Sequence, residues 1–296
     1  MMEKNAFLVV GGDSLVGGGL LHALRSRGAK AYGSSRRKDT LDEGRVYLNF
    51  ETPDDFVAPA DAGYAYIVAA ATNYDRCEKD PLAYTTNVEL TPRLIGSLLR
   101  QGLFVTFIST NSVFGGERPW PGEDDPHAPG IAYAIQKHEA EAKVNAMAKE
   151  LGAQDRLNTV RLTKILDRST SPLPAWFASW ERGEAVTPFE DLVFAPMSLQ
   201  FVGEALATLG EKRIPGNLHL SGAENISYVA FAKVLAEKMG VDASLIAPTT
   251  ATARGVHIAF KPTYSGLGMQ RTTALSGVTP QSIQSVVEDL LAEATA

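Results

Sequence analysis

Short apolar runs alternate with longer amphipathic segments through the first half of the chain. Runs at 7–10, 30–33, 46–50, 64–70, 104–109 and 157–162 draw on Val, Ile and Phe and read as buried strands. Segments 15–27, 82–101 and 131–151 carry helical periodicity, and a shorter helical stretch is expected near 53–57. Strand followed by helix, repeated, predicts an α/β fold of Rossmann type, a doubly wound parallel sheet covered on both faces. Such sheets take their ligands at the carboxyl ends of the strands.

After about residue 163 the rhythm changes. Prolines stand at 172, 174, 188, 196 and 215, and Trp176, Phe177 and Trp180 follow one another at helical spacing, as core or interface residues do. A helix is expected at 228–239, closed by Gly240 as a C-terminal cap, and another at 280–293. The expected division is a dinucleotide-binding domain over 1–165 and, over 166–296, mainly a smaller C-terminal substrate lobe, with no polar linker between them.

Composition narrows the function classes. A chain of 296 residues can bury a large core without covalent staples. Lys and Arg total 28 against 34 Asp and Glu, a net charge of -6, so there is no broad positive field for nucleic acid or an anionic membrane. The single cysteine, Cys77, excludes an intrachain disulfide and a cysteine cluster for zinc. The five histidines show no close metal spacing, and no metal site is expected. No apolar run is long enough to span a bilayer, and the first ends at Gly11, so a cytoplasmic protein is expected.

The first strand leads into Gly11-Gly12-Asp13-Ser14-Leu15-Val16-Gly17. A tight turn of small residues at a helix N-terminus lets backbone amides face a pyrophosphate, although a glycine-rich turn without a ligand has the same composition. Gly17 would let the helix pack close to the strand, and Ser14 stands where a GxxGxxG motif has its middle glycine. Many NAD-binding folds end the second strand on an acid that holds the ribose hydroxyls. Here that position reads Ser35-Arg36-Arg37, with no acid. Guanidinium groups suit a 2′-phosphate, which favours NADP, NADPH in the reduced form; solvated surface arginines are the plainer alternative.

Tyr133 and Lys137 lie four residues apart, one turn on a helix face. A nearby ammonium is expected to lower the phenol pKa, and Tyr133 would give its proton to a forming alkoxide. The same spacing arises by chance on amphipathic helices. Thr110 closes the strand upstream, where its hydroxyl would bond the substrate oxygen or simply cap a turn.

These features resemble the extended short-chain dehydrogenase/reductases, and within them the dTDP-4-dehydrorhamnose reductase family. The resemblance rests on the glycine loop, on Ala69-Ala70-Ala71-Thr72 with Tyr74-Asp75, on Asn87, on Ser109-Thr110-Asn111-Ser112-Val113-Phe114, and on Tyr133 and Lys137 followed by Glu141. It implies a reductase of a nucleotide-linked keto sugar, with Thr110, Tyr133 and Lys137 as the triad. It also implies that Ala69, Ala70 and Thr72 line the cofactor, that Asn49 and Phe50 flank the adenine, and that Tyr74 and Asn111 lie near the sugar. Relatives often dimerise through the helices expected at 82–101 and 131–151, so a homodimer is implied too. Thr163-Lys164-Ile165 replaces the family's Ser-Trp-Val, so Lys164 either brings a charge to the sugar pocket or points at water.

Two other readings stay open. An epimerase or dehydratase of the same fold would recycle its cofactor. Arg36-Arg37 counts against an NAD-using epimerase, and Asn111-Ser112 lacks a dehydratase's acid-base pair. A non-catalytic NADP-binding regulatory subunit, like that of a methionine adenosyltransferase, has no need of Tyr133 and Lys137.

Overall fold

The structure, a computed structural model, describes residues 5–293. Residues 1–4 and 294–296, the outer ends of the two expected segments, lie outside the described residues. The first half runs β1 (Ala6–Val10), α1 (Leu15–Ser26), β2 (Ala31–Ser35), β3 (Arg45–Tyr47), β4 (Ala62–Ile67), α2 (Tyr74–Lys79), α3 (Pro81–Tyr84), α4 (Thr91–Arg100), β5 (Phe104–Thr110), α5 (Ala132–Glu150) and β6 (Leu157–Leu162). Then follow β7 (Lys164–Leu166), α6 (Leu173–Glu181), β8 (Val193–Phe194), β9 (Pro196–Ser198), α7 (Leu199–Lys212), β10 (Gly216–Leu220), β11 (Ile226–Ser227), α8 (Tyr228–Met239), α9 (Gln270–Ser276) and α10 (Ile283–Ala292).

Seven strands form one sheet in the order β10-β6-β5-β4-β1-β2-β3. Every pairing in it is parallel, from Phe7 opposite Ala31 to Leu220 opposite Leu162. The reversal of strand order beside β1 is the switch point where such sheets open a crevice. Six of these strands were expected. The seventh, β10, comes from the second half after α7, and its Gly216–Leu220 run had no strand-helix rhythm around it.

Alternation along β1 shows why the sheet is covered twice. Val9 packs with Leu20, Leu24, Val202 and Leu206 of α1 and α7. Leu8 and Val10 pack with Leu94, Leu98 and Val144 of α4 and α5. Each such buried side chain contributes about 1.5–3 kcal/mol. Trp176, Phe177 and Trp180 join Phe194, Phe231 and Val287 in a separate core beyond the sheet.

Strand ends differ from expectation for local reasons. The fourth strand stops at Ile67 because the amides of Val68 and Ala69 both donate to the Val10 carbonyl, at 3.0 and 3.0 Å, turning the chain off the sheet. The third is cut to Arg45–Tyr47; beyond it the Asn49 side chain accepts the Glu51 amide at 3.1 Å in a local turn. The helix expected at 82–101 is interrupted by a π-helical turn, Thr85–Leu90. Pro92 has no N–H to continue the ladder. Around it the Thr91 amide and hydroxyl both reach back to the Thr86 carbonyl. The widened turn holds Asn87 inward, where its amide group pairs with both the N–H and the carbonyl of Ala71 at 2.9 Å.

A buried polar seam joins α5 to the sheet. Arg161 on β6 donates to both carboxylate oxygens of Glu141, the nearer at 2.7 Å, with each side chain under 5% exposed. Ser109 also donates to Glu141. Arg161 further donates to the Glu123 carbonyl at 2.9 Å and to His219 Nε2 at 3.1 Å, while His219 Nδ1 donates to the Gly268 carbonyl at 2.8 Å. Desolvation, then Arg161, pushes the His219 pKa down to about 3, so the imidazole stays neutral. Removing one partner of such a pair strands a buried charge. Arg161→Met is expected to lose about 3–5 kcal/mol in urea unfolding. A loss below about 1 kcal/mol, the range of exposed pairs, would show that the seam is not a structural tie.

Candidate active site

The glycine turn seats α1 on the end of β1. Gly11 has φ +94°, and a Cβ there would lie 2.8 Å from the Ala69 nitrogen. A Cβ on Gly17 would lie 2.1 Å from the Gly11 carbonyl oxygen. Ser14 caps the helix: its hydroxyl accepts the Gly17 amide at 3.1 Å and donates to the Gly11 carbonyl at 2.7 Å. The serine that departs from the glycine pattern therefore completes the turn. Of the first helical amides, Gly17 is satisfied by this cap, and those of Leu15 and Val16 belong to residues that line the adjacent groove.

That groove has a volume of about 780 Å³ and runs along the carboxyl ends of β1, β2 and β4. The structure brings together in it Gly11, Ser14, Leu15 and Val16 from the turn, with Ser35, Arg36 and Arg37 from the end of β2. Phe50, Ala69, Ala70 and Thr72 form other parts of its wall. Gly17 lies beneath the turn and Asn49 is engaged in its own turn, and neither lines the groove. Sequence reasoning missed Asp13, Arg76, Leu82 and Thr86, which do. Asp13 stands inside the glycine motif, where no role was expected of it. A groove beside a helix N-terminus, with a glycine turn on one side and arginines at one end, suits a dinucleotide.

Thr110 ends β5, next to β4 in the sheet; Tyr133 on α5 lies near its hydroxyl, and Lys137, one turn further along α5, reaches the Ile108 carbonyl of the same strand. Thr110 caps the turn that follows, its hydroxyl accepting the Ser112 amide at 3.2 Å. Lys137 is 3% exposed; its ammonium donates to the Ile108 carbonyl at 2.6 Å and lies 3.9 Å from the Phe107 ring centre. Burial pulls its pKa down to about 7. The Tyr133 phenol moves the other way: burial raises its pKa, the nearby Tyr74 adds to the rise, and the Thr110 hydroxyl opposes it. The expected lowering by Lys137 is thus corrected. Burial that raises the Tyr133 pKa also weakens the charge on the lysine, and that charge is directed at a backbone carbonyl.

The residues expected around a sugar are spread over three elements. The Tyr74 ring sits 5.6 Å from that of Tyr133. Asn111 spends its amide nitrogen on Ser265, at 2.8 Å to the carbonyl and 3.0 Å to the hydroxyl. Asn225 accepts the amides of Ser265 and Gly266 at 2.7 and 2.8 Å. Together they clamp the segment around residue 265 beside the end of β5. Lys164 opens β7, just beyond the end of β6, and is exposed. Among the described residues, no group of three or more His, Cys, Asp and Glu could hold a metal ion, and no helix is long and apolar enough to cross a membrane.

The family described as RmlD substrate binding domain matches residues 5–296. Solved structures share the fold along the whole chain. A dTDP-4-dehydrorhamnose reductase from Bacillus anthracis in complex with NADP is 21% identical, with 99% of each chain covered and a TM-score of 0.81. A dTDP-4-dehydrorhamnose reductase from Yersinia enterocolitica is 17% identical over 97% of this chain and 99% of that one, with a TM-score of 0.78. The UDP-glucose 4-epimerase of Thermotoga maritima, with UDP-glucose, is 17% identical over 98% of this chain and all of that one, with a TM-score of 0.77. At these identities the likeness shows the fold alone. No curated protein sequence matches the chain.

Lys137 supplies a pH test of the site. Its pKa is 10.5 unfolded and about 7 folded, so the unfolded chain binds more protons between those values. Its burial therefore destabilises the fold fully below about pH 7, and the effect fades as pH rises toward 10.5. Lys137→Met is expected to unfold a few degrees higher at neutral pH, with the gain shrinking toward pH 10. Thermal unfolding by circular dichroism at several pH values checks this. A melting temperature lowered equally at every pH would refute the assignment of a desolvated lysine.

Proposed function

The chain belongs to the RmlD substrate binding domain family, and we propose that within it this protein is an NADP-dependent reductase of a nucleotide-linked keto sugar. The observation that carries this reading is the placement of Tyr133 near Thr110 at the carboxyl end of β5. A reductase needs a proton donor at the substrate oxygen; a phenol is neutral near pH 7, and the partial burial of this one raises its pKa further.

Gly11, Leu15 and Val16 would hold the cofactor's pyrophosphate, and Arg36 and Arg37 its 2′-phosphate. Ala69, Ala70 and Thr72 would line its path toward β5, with Phe50 beside the adenine. Bound there, the reduced cofactor would supply a hydride for the sugar carbonyl. Thr110 orients the carbonyl oxygen, and Tyr133 gives that oxygen its proton as charge develops on it. Lys137, with its pKa near neutrality, holds the nicotinamide ribose and returns a proton toward the phenolate. Tyr74, its ring 5.6 Å from that of Tyr133, and Lys164, at the start of β7, would face the sugar nucleotide.

The test is NADPH oxidation by the purified protein with a panel of nucleotide-linked keto sugars. Tyr133→Phe is expected to lower kcat about 10²- to 10⁴-fold, the share a positioned proton donor supplies. Its affinity for NADPH should stay within about threefold of the parent, since only the hydroxyl is lost. Equal turnover by the Phe variant would refute the role of Tyr133. No turnover by the parent with any keto sugar would refute the substrate class.

A further inference from the structure

The preference for a 2′-phosphate was read from arginines at the end of β2, with no acid there. The fold brings an acid to that place from another element. Asp13, in the turn after β1, accepts a hydrogen bond from Ser35 Oγ at 2.7 Å. The same carboxylate lies 3.3 Å from Arg37 Nη2 and 2.7 Å from Nη1 of Arg45 on β3. Its pKa is lowered chiefly by the Ser35 hydroxyl, with Arg37 and Arg45 adding to the effect, so it is a carboxylate near neutral pH. Asp13 lines the same groove as Ser35, Arg36 and Arg37.

This end of the groove is therefore a cluster of opposed charges. Arg36 and Arg37 line the groove and would attract a 2′-phosphate, and Asp13, itself paired with Arg45, stands beside them. A carboxylate repels a phosphate dianion and accepts a hydrogen bond from a free 2′-hydroxyl, the task an acid at the end of the second strand performs in many dinucleotide sites. Arg37 is also partly engaged by Asp13 before any ligand arrives.

We propose that Asp13 is a specificity-determining residue of the cofactor groove, one that offsets part of the arginines' attraction for the 2′-phosphate and supplies an acceptor for the unphosphorylated ribose. The inference rests on the reading of this groove as the NADP site. It makes the preference for NADPH over NADH narrow, and it places the restraint in the glycine turn.

The experiment titrates the full-length protein with NADPH and with NADH, following nicotinamide fluorescence, and compares the ratio of the two Kd values with that of Asp13→Asn. The substitution keeps the size of the side chain and an acceptor oxygen for Ser35, and removes the charge. The NADH-to-NADPH Kd ratio is expected to rise roughly five- to tenfold, the effect of one screened charge at close range. Asp13→Ser, a smaller neutral side chain, should move the ratio the same way, and thermal unfolding checks that each variant is folded. An unchanged ratio in both variants, or a fall, overturns the role of Asp13 while leaving the groove an NADP site. A parent protein that binds neither dinucleotide, or NADH alone, overturns the NADP reading and this inference with it.

Discussion

The buried pair of Glu141 and Arg161 is the contact on which the candidate site depends. Glu141 lies one turn beyond Lys137 and two beyond Tyr133 on the same helix. Arg161 stands opposite Ser109 in the sheet, next to Thr110. Two charges under 5% exposed therefore set the distance between the helix carrying the phenol and the strand carrying the threonine. Burying ions is costly, and such pairs contribute less to net stability than to a unique arrangement when every lone pair is satisfied. Here the satisfaction extends through His219 and Glu123 to backbone groups at 268–272, so the C-terminal segment is tied to the same point.

Around this seam the protein sets proton affinities by desolvation more than by charge pairing. Lys137 is enclosed and Tyr133 partly buried, and loss of solvent favours the neutral form of each. A neutral phenol is the useful state for protonating a carbonyl oxygen, whereas a dehydrogenase working the other way needs the phenolate. Polar side chains that a motif reading assigns to ligands are partly engaged inside the protein. Ser14 caps α1, Ser35 holds Asp13, and Asn111 anchors Ser265.

Much of the sheet and the glycine turn was legible because their signals are local: short apolar runs, a helical period, glycines at fixed offsets. The features that escaped depend on separation along the chain. Asn111 reaches a partner 154 residues away, and Asp13 meets Arg45 across 32. β10 completes the sheet after a segment whose prolines and aromatics gave no strand-helix rhythm. The π turn before Pro92 satisfies a backbone ladder in a way that side-chain periodicity does not encode. Lys137 and Tyr133 were found by spacing, but the direction of the phenol's shift needed their burial.

The most direct test of the central claim follows the hydrogen itself. NADPH carrying deuterium at its transferable position would be supplied with a nucleotide-linked keto sugar, and the product examined by mass spectrometry and proton NMR. A reductase whose Tyr133 provides only the proton should leave one deuterium on the new carbinol carbon of each product molecule, with one NADP formed for each. Interconversion of sugars with no deuterium incorporated and no net oxidation of NADPH would contradict this and mark an enzyme that returns its hydride, as an epimerase does.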